Sequence, residues 1–419
     1  MQVNAQPVRG TKDFLPKEMQ IRDVVMKIIT DTYKSFGFSH IQAPMMEDIN
    51  RLDHSDGGEN LALIFKILKR GEKLDIASAQ KENDLVDMGL RYDLTVPLAR
   101  YYANNQAVLS KPFKALHIDR VFRAERPQKG RLREFYQCDI DILGDASYEA
   151  EKELIYVTSQ AMLNIGFKDF KIRVNDRRLL NDMVLYCGFM QEQANSVCIT
   201  FDKMDKIGLA GVKEELLNKG FDSNAVEKFI ALLSDSAFGT LEFCEKYASD
   251  KAVLENLKSV VDVSNRLAKG QYSVDFDPSL VRGQGYYTGM VFEISCGDYA
   301  SSVGGGGRYD KMIGKELGTD VPAIGFSIGF ERICDVLQDH PEILKVEQPK
   351  HLALIYNETD DFAQVIEKAE ELRFLGFYVN MQKRAKKLGK QLDNLIENGT
   401  EYSFIFGEYT EPKKLESKG

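Results

Sequence analysis

Three arginines, Arg123, Arg282 and Arg332, mark the places where this chain could act on a polyanion. A guanidinium is planar, permanently charged, and offers a fork of donors that matches phosphate or carboxylate oxygens. Taken singly, each arginine reads as a surface ion pair. Their surroundings give them more weight. Arg123 and Glu125 have equal parity in Leu116-His-Ile-Asp-Arg-Val-Phe-Arg-Ala-Glu125, which alternates like a strand. In the next strand-like run, Glu134–Leu143, Gln137, Asp139 and Asp141 share one face, and Tyr136, Cys138, Ile140 and Ile142 share the other. A row of polar groups on a central strand is costly unless something is bound there, although for any one strand a solvated sheet face competes. Arg282 enters a third run, Leu280–Glu293, in which Tyr287 and Glu293 share a face and Gly283, Gly285 and Gly289 permit close backbone approach. Arg332 lies in Ala323–Ile333, a glycine-spaced strand running into a helix.

The spacing of those glycines is G-x-G-x-x-x-G rather than the dinucleotide pattern, and no G-x-x-x-x-G-K-[ST] occurs. Any nucleotide is therefore held without a Walker lysine. The five histidines lack metal-ligand spacing and no C-x-x-C pair occurs, so no protein-held metal is expected. The six cysteines read as reduced, buried small hydrophobes. A net charge of -9 counts mildly against a nucleic-acid partner, but local patches do the binding. Two basic runs stand out. Arg126-Pro-Gln-Lys-Gly-Arg-Leu-Arg133 joins the first two strands, and Lys383-Arg-Ala-Lys-Lys387 is followed by Lys390. Each reads either as solvated surface or as a grip on an anionic substrate or RNA end. No apolar run approaches the ~20 residues needed to span a bilayer. The Met1–Ala5 start has neither a basic nor an apolar leader region, and the compartment is read as cytoplasm.

These residues need a scaffold, and 419 residues suggest two or three domains. Periodicity predicts an amphipathic helix over Lys17–Phe36, a short strand over Ser39–Met46 broken by Pro44, and mixed strands and loops over 57–90. It predicts helices over Leu94–Asn104 and 146–166, and a strand over Phe170–Val174. Residues 176 to 270 are mostly helical in pattern, as expected of an insertion. Beyond a linker at His340–Lys350, the run His351–Tyr356, Asp360–Leu375, Phe377–Met381, Leu388–Glu397 and Tyr402–Phe406 reads β-α-β-α-β, a small α/β domain.

At these residues the chain resembles the histidyl-tRNA synthetase family, over nearly its whole length. Arg9-Gly-Thr-Lys-Asp-Phe-Leu-Pro16 is similar to the family's N-terminal signature, and Pro44 falls where class II motif 1 places its proline. Leu90-Arg-Tyr-Asp-Leu-Thr-Val-Pro97 resembles a histidine-site segment, and Arg123–Asp141 resembles motif 2. Val281-Arg-Gly-Gln-Gly-Tyr-Tyr287, continued by Gly304–Asp310, resembles a histidine-specific box, and Gly325–Arg332 resembles motif 3. Where the family's box carries Leu-Asp, this chain has Gln284-Gly285.

The resemblance implies an α+β class II synthetase fold over 1–345, an antiparallel sheet flanked by helices, with a helical insertion at about 176–270. It implies an α/β anticodon-binding domain over 351–419, shortened after a segment like Phe404–Glu408. The implied activity is activation of histidine with ATP and Mg²⁺ to histidyl-adenylate, followed by transfer to the 3′ end of a histidine tRNA, in a homodimer. Arg123 would bind the ATP α-phosphate and the histidine carboxylate, Glu125 the adenine region, and Arg332 the γ-phosphate. Arg282 would stabilise charge at the α-phosphate. Asp93, Thr95 and Gln137 would hold the α-ammonium. Asp141 and Tyr287 would read the imidazole, with Tyr286 and Tyr309 also in the histidine pocket. The rival reading is the synthetase-like regulatory subunit of ATP phosphoribosyltransferase, which shares the fold but does not aminoacylate. The intact motif 2 loop, Arg282 and Arg332 favour the enzyme.

Overall fold

The computed structural model describes residues 5–55, 58–126, 131–282, 285–297, 302–345 and 350–416. By contacts the chain divides into two units, 1–12 with 27–344, and 13–26 with 345–419.

The first unit is built on an eight-stranded sheet. In spatial order its strands are Ser39–Ile41, Phe113–Phe122, Glu134–Leu143, Ala323–Gly329, Gly304–Arg308, Met290–Cys296, Phe170–Asp176 and Tyr272–Phe276. The inner pairings are antiparallel, and only the outermost pair at each end is parallel. This is the α+β class II architecture. A parallel pair cannot close by a tight hairpin and needs a long crossover. Between Asp176 and Tyr272 that crossover is the predicted helical run, from Arg177–Tyr186 to Lys251–Ala268. Its helix starts are legible locally, since Asp176, Asp222 and Asp250 each accept a hydrogen bond from a first-turn amide. The rings of Phe189, Phe201, Phe229 and Phe238 meet edge to face inside it.

The alternation in Glu134–Leu143 sets the two faces of the sheet. Cys138, Ile140 and Ile142 are buried on one side, and Asp139 and Asp141 are buried on the other, where the site lies. All six cysteines are buried thiols, and none forms a disulfide.

Several expected boundaries differ. The Ser39–Met46 strand is two strands in two sheets, because Pro44 between them offers no N–H for a ladder. Met46–Asp48 pairs instead with Val86–Leu90, which also carries Lys66–Leu68. The first motif 2 strand stops at Phe122. Arg123 adds one more ladder bond, N–H to Arg133 O at 2.9 Å, and Glu125 lies beyond the pairing. Among the described residues of the run Leu280–Ser295, strand begins at Met290. The parity argument linking Tyr287 to Glu293 therefore fails, since a loop delivers Tyr287. The glycine cluster 304–307 is itself a central strand.

The second unit carries a four-stranded sheet in the order Phe377–Lys383, Lys350–Tyr356, Tyr402–Ile405, Lys413–Lys414, with the first three parallel. Alternation again sorts the faces. Leu352 and Leu354 pack with Val365, Ala369 and Leu372 of the helix Phe362–Phe374, and Ala353 and Ile355 pack with Leu395 of the helix Leu388–Glu397. Among the described residues no helix is long and apolar enough to cross a membrane.

Candidate functional site

On the polar face of the large sheet lies a cleft of about 1160 Å³, lined by Arg123, Glu125, Gln137, Arg282 and Arg332 among others. Its floor is concave because the central strands carry small residues there. Gly325, Ser327 and Gly329 stand opposite Asp141, Asp139 and Gln137, and Gly307 and Gly305 stand opposite Gly325 and Ser327. Bare backbone leaves room for large side chains to lie flat across the sheet. A Cβ on Gly305 would sit 2.5 Å from Arg282 Nη1, and one on Gly307 would sit 2.9 Å from the Tyr287 ring.

Each arginine is oriented. Arg123 Nε donates to Tyr92 O at 2.9 Å, and its guanidinium lies 5.1 Å from the Phe135 ring centroid. Arg282 has a left-handed backbone, φ 62°, and its Nη1 donates to Glu293 Oε2 at 3.0 Å. A non-glycine residue there costs roughly 1–2 kcal/mol, so the turn is held by its contacts. Glu293 also pairs with Arg173 at 2.5 Å. Arg332, in the first turn of the helix Phe330–Asp339, donates to Ser302 O. Burial, together with the nearby Arg131 and Arg282, pulls its pKa down. Arg332, disfavoured in this way, is set for an anion, whereas the burial of Arg282 is outweighed by the neighbouring tyrosines and Glu293, which raise its pKa. Glu125 pairs with Arg131 at 3.3 Å, and its carbonyl accepts from Arg133 Nε at 3.0 Å. Of the basic loop, Arg126 and Arg131 line the cleft, and residues 127–130 lie outside the described residues.

The remaining expected residues do not line this cleft. Asp93, Thr95, Asp141, Tyr286, Tyr287 and Tyr309 are all buried. Tyr309 Oη donates to Asp141 Oδ1 at 2.5 Å, and the rings of Tyr286, Tyr287 and Tyr309 stack edge to face at 4.9 and 6.1 Å. Burial pushes the Asp141 carboxyl up to about 7, against the Tyr309 hydrogen bond. Asp139, raised first by burial and then by Asp141, also stands well above its ordinary value. Asp93 sits at the start of the helix Thr95–Asn105, where its Oδ1 accepts from Val96 N at 3.1 Å. Burial pushes it up to about 6, opposed by the Val96 amide and Arg123. Its Oδ2 and the Oε1 of Gln137 are buried without a hydrogen-bond partner. Unmet buried acceptors are unfavourable and rare, and these two suit a cationic donor. Of the box, Gly283 and Gln284 lie outside the described residues.

Sequence reasoning missed three contributors. Arg173 lies in a predicted strand, where a charge in mid-strand is the available signal. Ser327 faces Asp139 within motif 3 and accepts weakly from Gln137 Nε2 at 3.4 Å. Gly305 acts by lacking a side chain.

A family model described as histidyl-tRNA synthetase matches residues 10–333. A histidine–tRNA ligase of Leifsonia xyli is 41% identical over 97% of this chain and 96% of its own length. One from Christiangramia forsetii is 32% identical over 96% of this chain and 91% of its own. Among solved structures, histidyl-tRNA synthetase from Nostoc sp. matches with a TM-score of 0.75 at 25% identity, covering 96% of this chain and 91% of that one. A Bacillus halodurans protein described as an ATP phosphoribosyltransferase regulatory subunit/histidyl-tRNA synthetase shares the fold, with a TM-score of 0.74 at 21% identity over 94% and 97% of the two chains. An arginine-lined cleft without a Walker lysine, a buried tyrosine–aspartate cluster and a sequence match running through every segment that builds them agree on one assignment: the chain belongs to the histidyl-tRNA synthetase family.

Proposed function

We propose that the chain is a histidine–tRNA ligase, forming histidyl-adenylate from histidine and ATP and passing the histidyl group to the 3′ end of a histidine tRNA. The observation that carries this reading is the pair of partnerless buried acceptors, Asp93 Oδ2 and Gln137 Oε1, beside an arginine-lined cleft. An amino acid brings an ammonium to the acceptors and a carboxylate to Arg123. Asp141 and the Tyr287 hydroxyl then take the imidazole nitrogens, with Tyr309 fixing Asp141. Buried polar partners of this kind reject an analogue without those nitrogens.

Attack of the histidine carboxylate on the α-phosphorus forms an oxygen–phosphorus bond and expels pyrophosphate. Such a step needs in-line positioning and charge neutralisation more than proton transfer. Arg123 and Arg282 meet the charge at the α-phosphate, and Arg332 holds the γ-phosphate. Mg²⁺ enters with ATP as part of the substrate and neutralises phosphate charge. The protein's own contribution to that neutralisation is the arginines. The basic run 126–133 takes the tRNA acceptor end, and residues 351–419 form the anticodon-binding domain. The Pro44 segment makes the contact of a homodimer, which sedimentation showing only a 47.5 kDa species would refute.

The test of function is histidine-dependent exchange of pyrophosphate into ATP, followed by charging of a histidine tRNA. Both activities are expected. Histidine binding without exchange, together with complex formation with a phosphoribosyltransferase subunit, would assign the chain to the regulatory rival instead.

A further inference from the structure

Among the described residues, the largest side chain shut off from solvent is a charged one, Arg91. A buried guanidinium is tolerable only when its donors are met. Nε donates to Arg120 O at 2.8 Å, and Nη1 donates to Ala43 O at 2.8 Å and Pro44 O at 3.3 Å. Nη2 stands 2.8 Å from Asp119 Oδ2 as an ion pair without hydrogen-bond geometry, so charge rather than a directed bond meets it. The backbone ties in as well: Arg91 N donates to Met45 O, and Phe122 N donates to Arg91 O, each at 2.9 Å. One residue thus pins three segments, 43–45, 91–93 and 119–122. Burial works to raise the Asp119 carboxyl, but Arg91 and the Arg120 amide outweigh it and hold it below the usual range, so the ion pair persists. His117, on the same strand, is also fully buried, and burial and Arg91 together push its pKa down to about 3.

The pinned strap leads straight into the site. Tyr92 O accepts from Arg123 Nε at 2.9 Å, and Asp93 follows with its partnerless oxygen. An apolar side chain of similar volume would fill the same space, often with no loss of stability. What only arginine supplies here is a planar fork reaching several backbone carbonyls at once.

We propose that Arg91 is a positioning residue for amino-acid activation: by fixing the 91–93 strap it sets the orientation of the Arg123 guanidinium and the reach of Asp93. The proposal rests on the reading of the cleft as the place where the adenylate forms. Misplacing a reacting group by about 1 Å can cost on the order of 100-fold. Arg91→Lys keeps the charge and loses the fork. In pyrophosphate exchange on the full chain it is expected to lower kcat by roughly that factor, with a smaller change in KM for ATP.

The deciding measurement is a double-mutant cycle with Arg123→Lys. If Arg91 acts through Arg123, adding Arg91→Lys to Arg123→Lys lowers kcat by less than about threefold, because coupled residues are not additive. Losses that multiply in full mean a general structural role and overturn the proposal. Asp119→Asn, which preserves shape and loosens Arg91 from one side, is put through the same cycle. It decides the matter even where Arg91→Lys does not fold. Absence of histidine-dependent exchange in the unmutated chain refutes the functional reading itself. Multiplying losses in an active chain refute the role of Arg91 alone.

Discussion

Gly305→Ala tests the cradle beneath Arg282 without replacing a charged residue. The added Cβ would stand 2.5 Å from Arg282 Nη1, 2.7 Å from its Cζ and 2.8 Å from Phe292 O. The Phe292 carbonyl belongs to the neighbouring strand and cannot retreat freely, so the guanidinium must yield. Recovering an ordinary contact near 3.5 Å means a displacement of about 1 Å. That shift pulls against the Glu293 bond and a backbone already in the left-handed region. Removing one preorganised donor to transition-state charge costs about 3 kcal/mol, roughly 100-fold in rate. A misplacement of this size costs a similar factor. Rapid-quench measurement of single-turnover adenylate formation, at saturating histidine and ATP, is the assay. We expect the rate constant to fall by about 100-fold, approaching that of Arg282→Ala, and Gly305→Ala added to Arg282→Ala to change little. Overpacking also costs about 1–3 kcal/mol of stability, so thermal melting must show the variant folded at the assay temperature. A folded Gly305→Ala protein forming adenylate within about threefold of the natural rate would refute both the cradle and the placement of Arg282 in the reaction.

Two further outcomes follow from the electrostatics. Burial raises the Asp141 carboxyl from 3.8 to about 7, so the folded state takes its proton more readily than the unfolded chain. Its stabilisation is present at low pH and is lost as pH rises through about 7. Asp141→Asn is therefore expected to gain thermal stability relative to the natural ligand-free protein between pH ~5 and ~7.5, and a melting difference that stays flat across that range would overturn the assignment. Arg332→Ala removes a cation already disfavoured by burial, Arg131 and Arg282. It should raise KM for ATP at least about tenfold, and tripolyphosphate, expected to raise the melting temperature of the natural chain, should leave that of the variant unchanged; unchanged KM would remove Arg332 from the triphosphate site.

Much of this site was legible because its signals are local. Parity along Glu134–Leu143 placed Gln137, Asp139 and Asp141 on one face, and the strand formed there with Asp139 and Asp141 buried and Gln137 half-buried at the cleft. Parity misled at Tyr287, where Arg282 in a left-handed conformation and the following turn carry the chain to the sheet before any pairing begins. Alternation presumes a continuous extended backbone, and nothing in the side-chain types announced that the strand starts only at Met290. The histidine box, its continuation at Gly304–Asp310 and motif 3 were recognisable by resemblance, but that Gly304–Arg308 forms a strand was not, because glycines carry neither β-propensity nor period.

By itself the sequence determined most helices and several strands, the absence of a Walker lysine and the residues able to meet phosphate and imidazole. These depend on spacing within a segment, which the chain carries wherever it goes. The tertiary structure alone decided which segments become neighbours. It set Gly305 beneath Arg282, bound Arg173 to Glu293 and drew Arg91 into the carbonyls of 43–44. It also split the expected site residues between an open cleft and a buried cluster beside it. Those contacts join residues up to more than a hundred positions apart, and they exist only once strand order and register are fixed. The shifted carboxyls of Asp93, Asp139 and Asp141 belong to the same class, because burial rather than residue type raised them.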